Sequence, residues 1–189
     1  MDQPVLRDVP LEFESERLLI RCPRPGDGRV VHASVSESLS SLRQFPVSLP
    51  WAMEARSLDA AERFCREGQA NFLRRADMPM LLFLRATGTH VGNSGLHRFD
   101  WSVPKCELGF WLRTSYGGRG LMTEAAKELT AFAFRELGMR RVEALTDEEN
   151  ARARRVCERA RFVLEGILRH YRASPQGGLR NACVYALVR

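Results

Sequence analysis

The residues whose chemistry is most legible in this chain form one short run, Ser115-Tyr-Gly-Gly-Arg-Gly-Leu-Met-Thr-Glu-Ala125. Gly117, Gly118 and Gly120 fall within four positions, so the backbone can turn tightly and bring its N–H groups close to a ligand. A helical pattern opens in the same run, and a helix start adds unpaired N–H groups and the positive end of its dipole. Together these make an anion site, most naturally one for phosphate or pyrophosphate. Glycines between a strand and a helix also serve as ordinary turn residues. Two familiar phosphate motifs are absent, with no Gly-Lys-Ser/Thr ending and no GxGxxG. The elements around the loop must therefore decide its meaning.

Those elements alternate between the two periods. Residues 11–21 read as a first strand, stopped by Pro23 and Pro25, and a helical stretch starts at Gly26-Asp27 and runs through Val30, Val31 and Val35. Residues 36–49 are polar and interrupted, which suggests a short helix and a loop closed by Pro46 and Pro50, either a cover over a cleft or a plain connector. Ser57 is a good N-cap for a helix from Leu58 to about Arg75. Residues 80–85 and 91–99, separated by Thr87-Gly88-Thr89, read as a hairpin. Strand 105–113 leads into the glycine loop and the helix 121–137, whose Met122, Ala125, Ala126, Leu129, Phe132, Ala133 and Leu137 recur every three or four residues. A short strand 141–146, an Asn150-capped basic helix to about Arg161, and strands 162–171 and 179–188 around Pro175-Gln-Gly-Gly178 complete the chain. The order predicts a single α/β (α+β) domain over residues 1–189, with a mixed sheet of about seven strands.

Composition narrows the class. The chain has 189 residues, 44% hydrophobic and 28% charged, as in an ordinary soluble domain. No apolar run reaches the roughly 18 residues that span a bilayer, and the start is acidic and proline-containing, unlike a signal peptide. Five scattered cysteines without a CxxC pair suggest free thiols in a reducing cytoplasm, and the four histidines (His32, His90, His97, His170) lack metal-ligand spacing. The net charge of +6 favours an anionic ligand, although the arginines are spread along the chain. Nucleic acid is disfavoured, because no recognition motif accompanies the charge.

The loop SYGGRGLMTEA, the strand ELGFWL before it and the later NARARRVCERARF resemble the GNAT superfamily of acetyl-CoA-dependent N-acetyltransferases. The likeness runs from SERLLIRCPRPGD through GNSGLHRFDW to NACVYALVR, and is greatest to the branch that acetylates the N-termini of ribosomal proteins. It implies a mostly antiparallel sheet splayed at its middle, flanked by helices. It also implies that Gly117, Gly118, Arg119, Gly120, Leu121 and Met122, with Thr123, cradle the coenzyme A pyrophosphate. Phe110, Trp111 and Leu112 would border the pantetheine arm where strand 107–112 parts from 141–146, with Asn150 and Arg154 as further cofactor contacts. Gly109 would be a bulge or close approach, or merely a small residue beneath Trp111. Three departures stand out: Ser115 where the superfamily has Gln or Arg, Cys157 where many members have tyrosine, and Arg161 in place of a glycine before Phe162.

Acetyl transfer needs a neutral amine, a polarised carbonyl and a proton for the leaving thiolate. An N-terminal amine titrates near 7.7–8.0 and a lysine near 10.4, so the former needs less help. Positioning supplies much of the acceleration, and a backbone N–H near Phe110 or Leu112 would polarise the carbonyl. The expected base is Glu107, acting through a water, its plain alternative being an exposed strand-end glutamate. Cys157 is the weak candidate acid or, alternatively, core filler, and Glu124 serves the helix dipole or the structure. The expected co-substrate is acetyl-CoA, with no metal. The expected acceptor is an amine on a peptide, a protein such as a ribosomal protein, or a small molecule such as a polyamine or antibiotic. A non-catalytic acyl-CoA-binding module is the remaining reading. The protein is expected as a monomer or homodimer, away from membranes.

Overall fold

A computed structural model describes residues 3–45, 49–53, 57–174 and 177–189. Pro46 and the Pro175-Gln176 part of the final turn lie outside the described residues. Eight strands form one sheet: β1 (Glu12–Glu14), β2 (Leu18–Arg21), β3 (Met78–Leu84), β4 (His90–Asp100), β5 (Lys105–Leu112), β6 (Arg141–Asp147), β7 (Val163–Ala173) and β8 (Leu179–Val188). Their order is β1-β2-β3-β4-β5-β6-β8-β7, and among the described residues β5–β6 is the one parallel pair. The four α-helices are α1 (Gly28–Leu42), α2 (Leu58–Arg74), α3 (Leu121–Arg135) and α4 (Ala151–Arg159).

The β5–β6 pair carries the main consequence. Its register holds only at Lys105↔Arg141, Cys106↔Val142 and Glu107↔Glu143. Beyond those three pairs the strands part, which leaves residues 108–112 and 144–147 with free facing edges and opens the expected splay.

Two expectations are corrected. Residues 11–21 form two strands rather than one, because Ser15, Glu16 and Arg17 make a turn that lets Glu14 pair with Leu19. With that extra strand the sheet has eight among the described residues, in line with the expected mixed sheet of about seven. The second concerns α1, which runs unbroken to Leu42 instead of stopping near Ser36. Its serines are not interruptions. Ser34 and Ser38 face inward, buried, and make hydrogen bonds to His90 and to the Thr114 N–H.

Two apolar layers flank the sheet. On one face α3 buries Ala125, Ala126, Leu129, Phe132 and Ala133 against Leu18, Ile20, Leu82, Leu96 and Leu108, each large side chain contributing about 1.5–3 kcal/mol. On the other face α1 and α2 cover Leu81, Phe83 and Trp111 with Val31, Val35 and Cys65. β3 is buried on both faces for this reason. β7, at the sheet edge, is exposed along nearly its whole length.

Candidate active site

The glycine run sits at the upper end of the splay. Strand β5 ends at Leu112, a short 3-10 turn covers Thr114–Tyr116, and α3 starts at Leu121. Gly118 and Gly120 take φ of 78° and 77°, left-handed values that cost an L side chain about 1–2 kcal/mol. Gly120 is the N-cap residue and supplies no side chain, so the helix start is uncapped. The Gly117 N–H is committed to the Thr114 carbonyl (3.2 Å), which makes its contribution conformational. From Gly118 to Thr123 six successive backbone N–H groups have no hydrogen-bond partner among the described residues. A Cβ built on Gly118 meets nothing within 4 Å, so the space over the loop is open. This cradle fits an anionic phosphate group.

Neighbouring elements hold the loop from outside. Glu37 on α1 accepts from Arg113 Nε (2.5 Å) and the Ser115 N–H (3.2 Å). Glu124 accepts from the Ser15 hydroxyl (2.6 Å) and from the backbone and side chain of Arg17 (2.8 and 2.7 Å). Burial pulls the Glu124 carboxyl upward, but these bonds outweigh it and hold it below its ordinary value. Arg17 also donates to the Arg119 carbonyl (2.9 Å). Glu124 thus serves the structure, tying the β1–β2 turn to the loop. Arg119 folds back over Tyr116 and onto the Ser115 carbonyl. A cavity of about 300 Å³ beside the cradle is lined by Gly120 and Thr123 and by charged side chains of both signs, Arg17, Lys127 and Arg159 with Glu16, Glu124 and Glu128.

The gap below the loop has polar edges. The Arg113 N–H donates to the Val91 carbonyl (2.8 Å), and strand alternation then turns the N–H groups of Phe110 and Leu112 away from β4, toward the gap. Their side chains join the α3 layer, whereas Trp111 is buried in the opposite layer, beside Trp51 and His90. Across the gap, Thr146 Oγ1 is buried with no partner among the described residues. Such a group is rarely left unsatisfied.

Glu107 lies in the last β5–β6 pair, at the foot of the gap, and accepts from Arg98 Nη1 (2.7 Å). Cys157 is 1% exposed in the α3-side core, and burial pushes its thiol up to about 12. Asn150 caps α4 through its side chain, accepting from the Ala153 N–H (3.0 Å). Arg154 points inward, donating to the Tyr185 hydroxyl and the Glu148 carbonyl (both 3.2 Å). Arg161 keeps the glycine-like helix exit by adopting φ 71°, with the Phe162 N–H closing on the Cys157 carbonyl (3.0 Å). The usual exit is thus built with an unusual residue.

Gly109 is neither a bulge nor a seat for Trp111. It pairs regularly with Gly95, and a Cβ there would meet His97 Cδ2 and Nε2 at 3.0 and 3.1 Å. Reading the sequence for ligand spacing passed over His97. The signal was available in two strand glycines that face one another.

A model of the acetyltransferase (GNAT) domain matches residues 17–163. The chain belongs to the GNAT family. Among curated relatives of this GNAT chain, YdaF of Bacillus subtilis (strain 168), provisionally named a ribosomal N-acetyltransferase, is 35% identical over 43% of this chain and 45% of its own length. The N-acetyltransferase p20 of Bacillus licheniformis, named as uncharacterized, is 27% identical over 65% of each chain. The match therefore spans about half to two thirds of these two relatives. Among solved structures, RimL, the ribosomal L7/L12 alpha-N-protein acetyltransferase in complex with coenzyme A, has a TM-score of 0.85 at 19% identity, covering 95% of this chain and 97% of its own. The microcin C7 self-immunity acetyltransferase MccE, in complex with acetyl-CoA and AMP, has a TM-score of 0.83 at 14% identity over 93% and 94%. Both show the GNAT fold. Among the described residues, no helix is long and apolar enough to cross a membrane.

Proposed function

We propose that this GNAT protein moves an acetyl group from acetyl-CoA to a primary amine, and that the amine is the N-terminus of a protein or peptide. The observation that carries the reading is the run of six unpartnered N–H groups, Gly118–Thr123, at the mouth of the β5–β6 gap. In this reading those groups hold the pyrophosphate of coenzyme A, and the free edge of Phe110 and Leu112 receives the pantetheine arm as an added strand would. Thr146 Oγ1 gains its missing partner there. Acetyl-CoA supplies the activated acetyl thioester, and the backbone N–H groups at the gap face its carbonyl.

Glu107 and Glu143 stand at the foot of the gap, Glu107 paired with the exposed Arg98 and Glu143 with Arg141 and Lys105, so an ammonium group arriving there would take the place of Arg98 on Glu107. Glu107 is the carboxylate assigned to the acceptor. Cys157 is assigned to packing, since it is buried in the α3-side core and holds its proton more tightly than an ordinary thiol of about 8.5, such as the leaving thiol it would have to protonate. The preference for a peptide rests on its α-amine, which titrates near 7.7–8.0 and needs less help to lose its proton than a lysine-like amine near 10.4. The names of YdaF and RimL lend the ribosomal-protein version its support. The five free cysteines agree with a reducing cytoplasm.

The test is thiol release from acetyl-CoA against a panel of peptide N-termini, polyamines and aminoglycosides, for wild type and Glu107→Gln. Release with peptides and about a tenfold rise in peptide KM in the variant are expected. Release with the small amines alone would move the acceptor to that class. No amine-dependent release from any acceptor would sink the enzyme reading and leave an acyl-CoA-binding module.

A further inference from the structure

A second proton-handling group stands beside the gap. Across one face of the sheet, at the last paired row of β5 and β6, Asp77, His97, Glu107 and Glu143 lie side by side. His97 is opposite Glu107 in the β4–β5 register, and Glu107 is opposite Glu143. Asp77 directly precedes β3, and its Oδ1 accepts from His97 Nδ1 at 2.6 Å. With Asp77 accepting at Nδ1, the neutral form of the ring has its acceptor lone pair at Nε2.

The ring has a built seat. A Cβ on Gly95 would come within 2.8 Å of His97 Nε2, and one on Gly109 within 3.1 Å. Gly95 and Gly109 are themselves register partners, so the Nε2 edge of the imidazole sits against two facing glycines. Nε2 is thereby carried up the strand, toward the residues of β5 that lack a partner across the gap. The next residue, Arg98, is held at φ 50°, ends the regular register and turns its guanidinium to Glu107. The side chains of His97 and Asp77 are 33% and 38% exposed, so a ligand can reach them. His90 offers no such access, being buried with both ring nitrogens engaged.

We propose that His97, oriented by Asp77, is the group that takes the proton from the acceptor amine, with Glu107 holding the ammonium beside it. The inference rests on the amine-acetylation reading above. His97 Nε2 accepts one proton of the ammonium and leaves a neutral amine. The C–N bond then forms at the thioester carbonyl as the C–S bond breaks. The second nitrogen proton goes to the departing thiolate, the amide keeps the third, and His97 returns its proton to solvent. Ammonium and thioester thus become amide, thiol and one released proton. The charged groups beside the imidazole are Asp77, Glu107 with its Arg98, and beyond them Glu143 with its Arg141 and Lys105. An imidazole is better suited than a carboxylate to exchange protons near neutral pH.

The experiment compares wild type, His97→Gln, His97→Ala, Asp77→Asn and Glu107→Gln by amine-dependent thiol release at saturating acetyl-CoA. Coenzyme A calorimetry and the imidazole 1H–15N NMR spectrum of the wild type accompany it. His97→Gln should lose about 10²–10⁴ in kcat, with amine KM within threefold and coenzyme A affinity unchanged. Added imidazole should restore part of the His97→Ala rate. Asp77→Asn should lose about tenfold, and wild-type His97 should carry its proton on Nδ1. A mere staple between β3 and β4 would shift Tm without a loss of kcat and without rescue, and that outcome overturns the inference. So does an imidazole that keeps both protons at the assay pH. If wild type releases thiol and the His97 variants match it, the inference alone falls. If wild type releases none with any amine, the underlying reading falls with it.

Discussion

Acidification should loosen the layer beneath Trp111 through one residue, His90. Burial is the main cause that lowers His90 from 6.5 to about 4; the Arg113 charge adds to it and the Asn93 hydrogen bond opposes it. The neutral ring donates from Nε2 to Asn93 Oδ1 (2.8 Å) and accepts at Nδ1 from the Ser34 hydroxyl (2.9 Å). Between the two pKa values the unfolded chain binds a proton that the native chain refuses. Stability is therefore full above about pH 6.5 and falls as the pH drops toward 4. The gap from 6.5 to about 4, at about 1.4 kcal/mol per pH unit, amounts to about 3.5 kcal/mol. For a chain of this size that is a fall in Tm of about 7–14 °C. Carboxylates held low, such as Asp27, where hydrogen bonds from Arg21 and Arg24 outweigh burial, lose their contribution only below about pH 4, outside this window. Denaturant unfolding of wild type and His90→Gln at pH 7 and pH 4.5 isolates the effect. The variant should begin less stable and lose about 2–3 kcal/mol less on acidification. Equal losses in the two proteins would refute the assignment.

Gly118→Val should weaken coenzyme A binding by about a hundredfold or more while the fold survives at a cost of about 1–2 kcal/mol, since the new side chain enters open space at a left-handed φ; calorimetry and circular dichroism check both halves. Arg161→Gly should raise stability by about 0.5–1 kcal/mol, because φ 71° suits glycine, and thermal melts would show a Tm higher by a few degrees. Gly109→Ala should displace the His97 ring by a few tenths of an ångström and lower kcat with little loss of stability. Gly95→Ala meets the Met78 carbonyl at 2.9 Å as well, so it should also destabilise by about 1–3 kcal/mol. Thermal melts and kcat measured together distinguish the two variants.

Local patterns were enough for much of the fold. The three- and four-residue spacing from Met122 to Ala133 marks α3 because one helix face must be apolar. Ser57 and Asn150 cap the helices they precede for reasons confined to four residues. Proline and glycine punctuation located most strands within two residues. The same local reading misjudged α1, where serine in a helix looked like an interruption. Those hydroxyls face inward and make hydrogen bonds, Ser34 with His90 and Ser38 accepting from the Thr114 N–H, visible only once β4 and the 113–115 turn are beside them.

By itself, the sequence determined the glycine loop, the strand before it and the helix after it, because backbone conformation and N–H exposure there depend on neighbours along the chain. Tertiary structure alone decided which N–H groups are free, since Gly117 is spent on Thr114 and Gly118 to Thr123 are not. It also decided how Glu124 is used, where the splay begins, and that Arg154 turns inward. Above all, it brought Asp77, His97 and Glu107, from three different strands or their ends, into one row. Which residues face one another depends on the turns that join consecutive strands as well as on the buried face, and not on spacing within one segment alone.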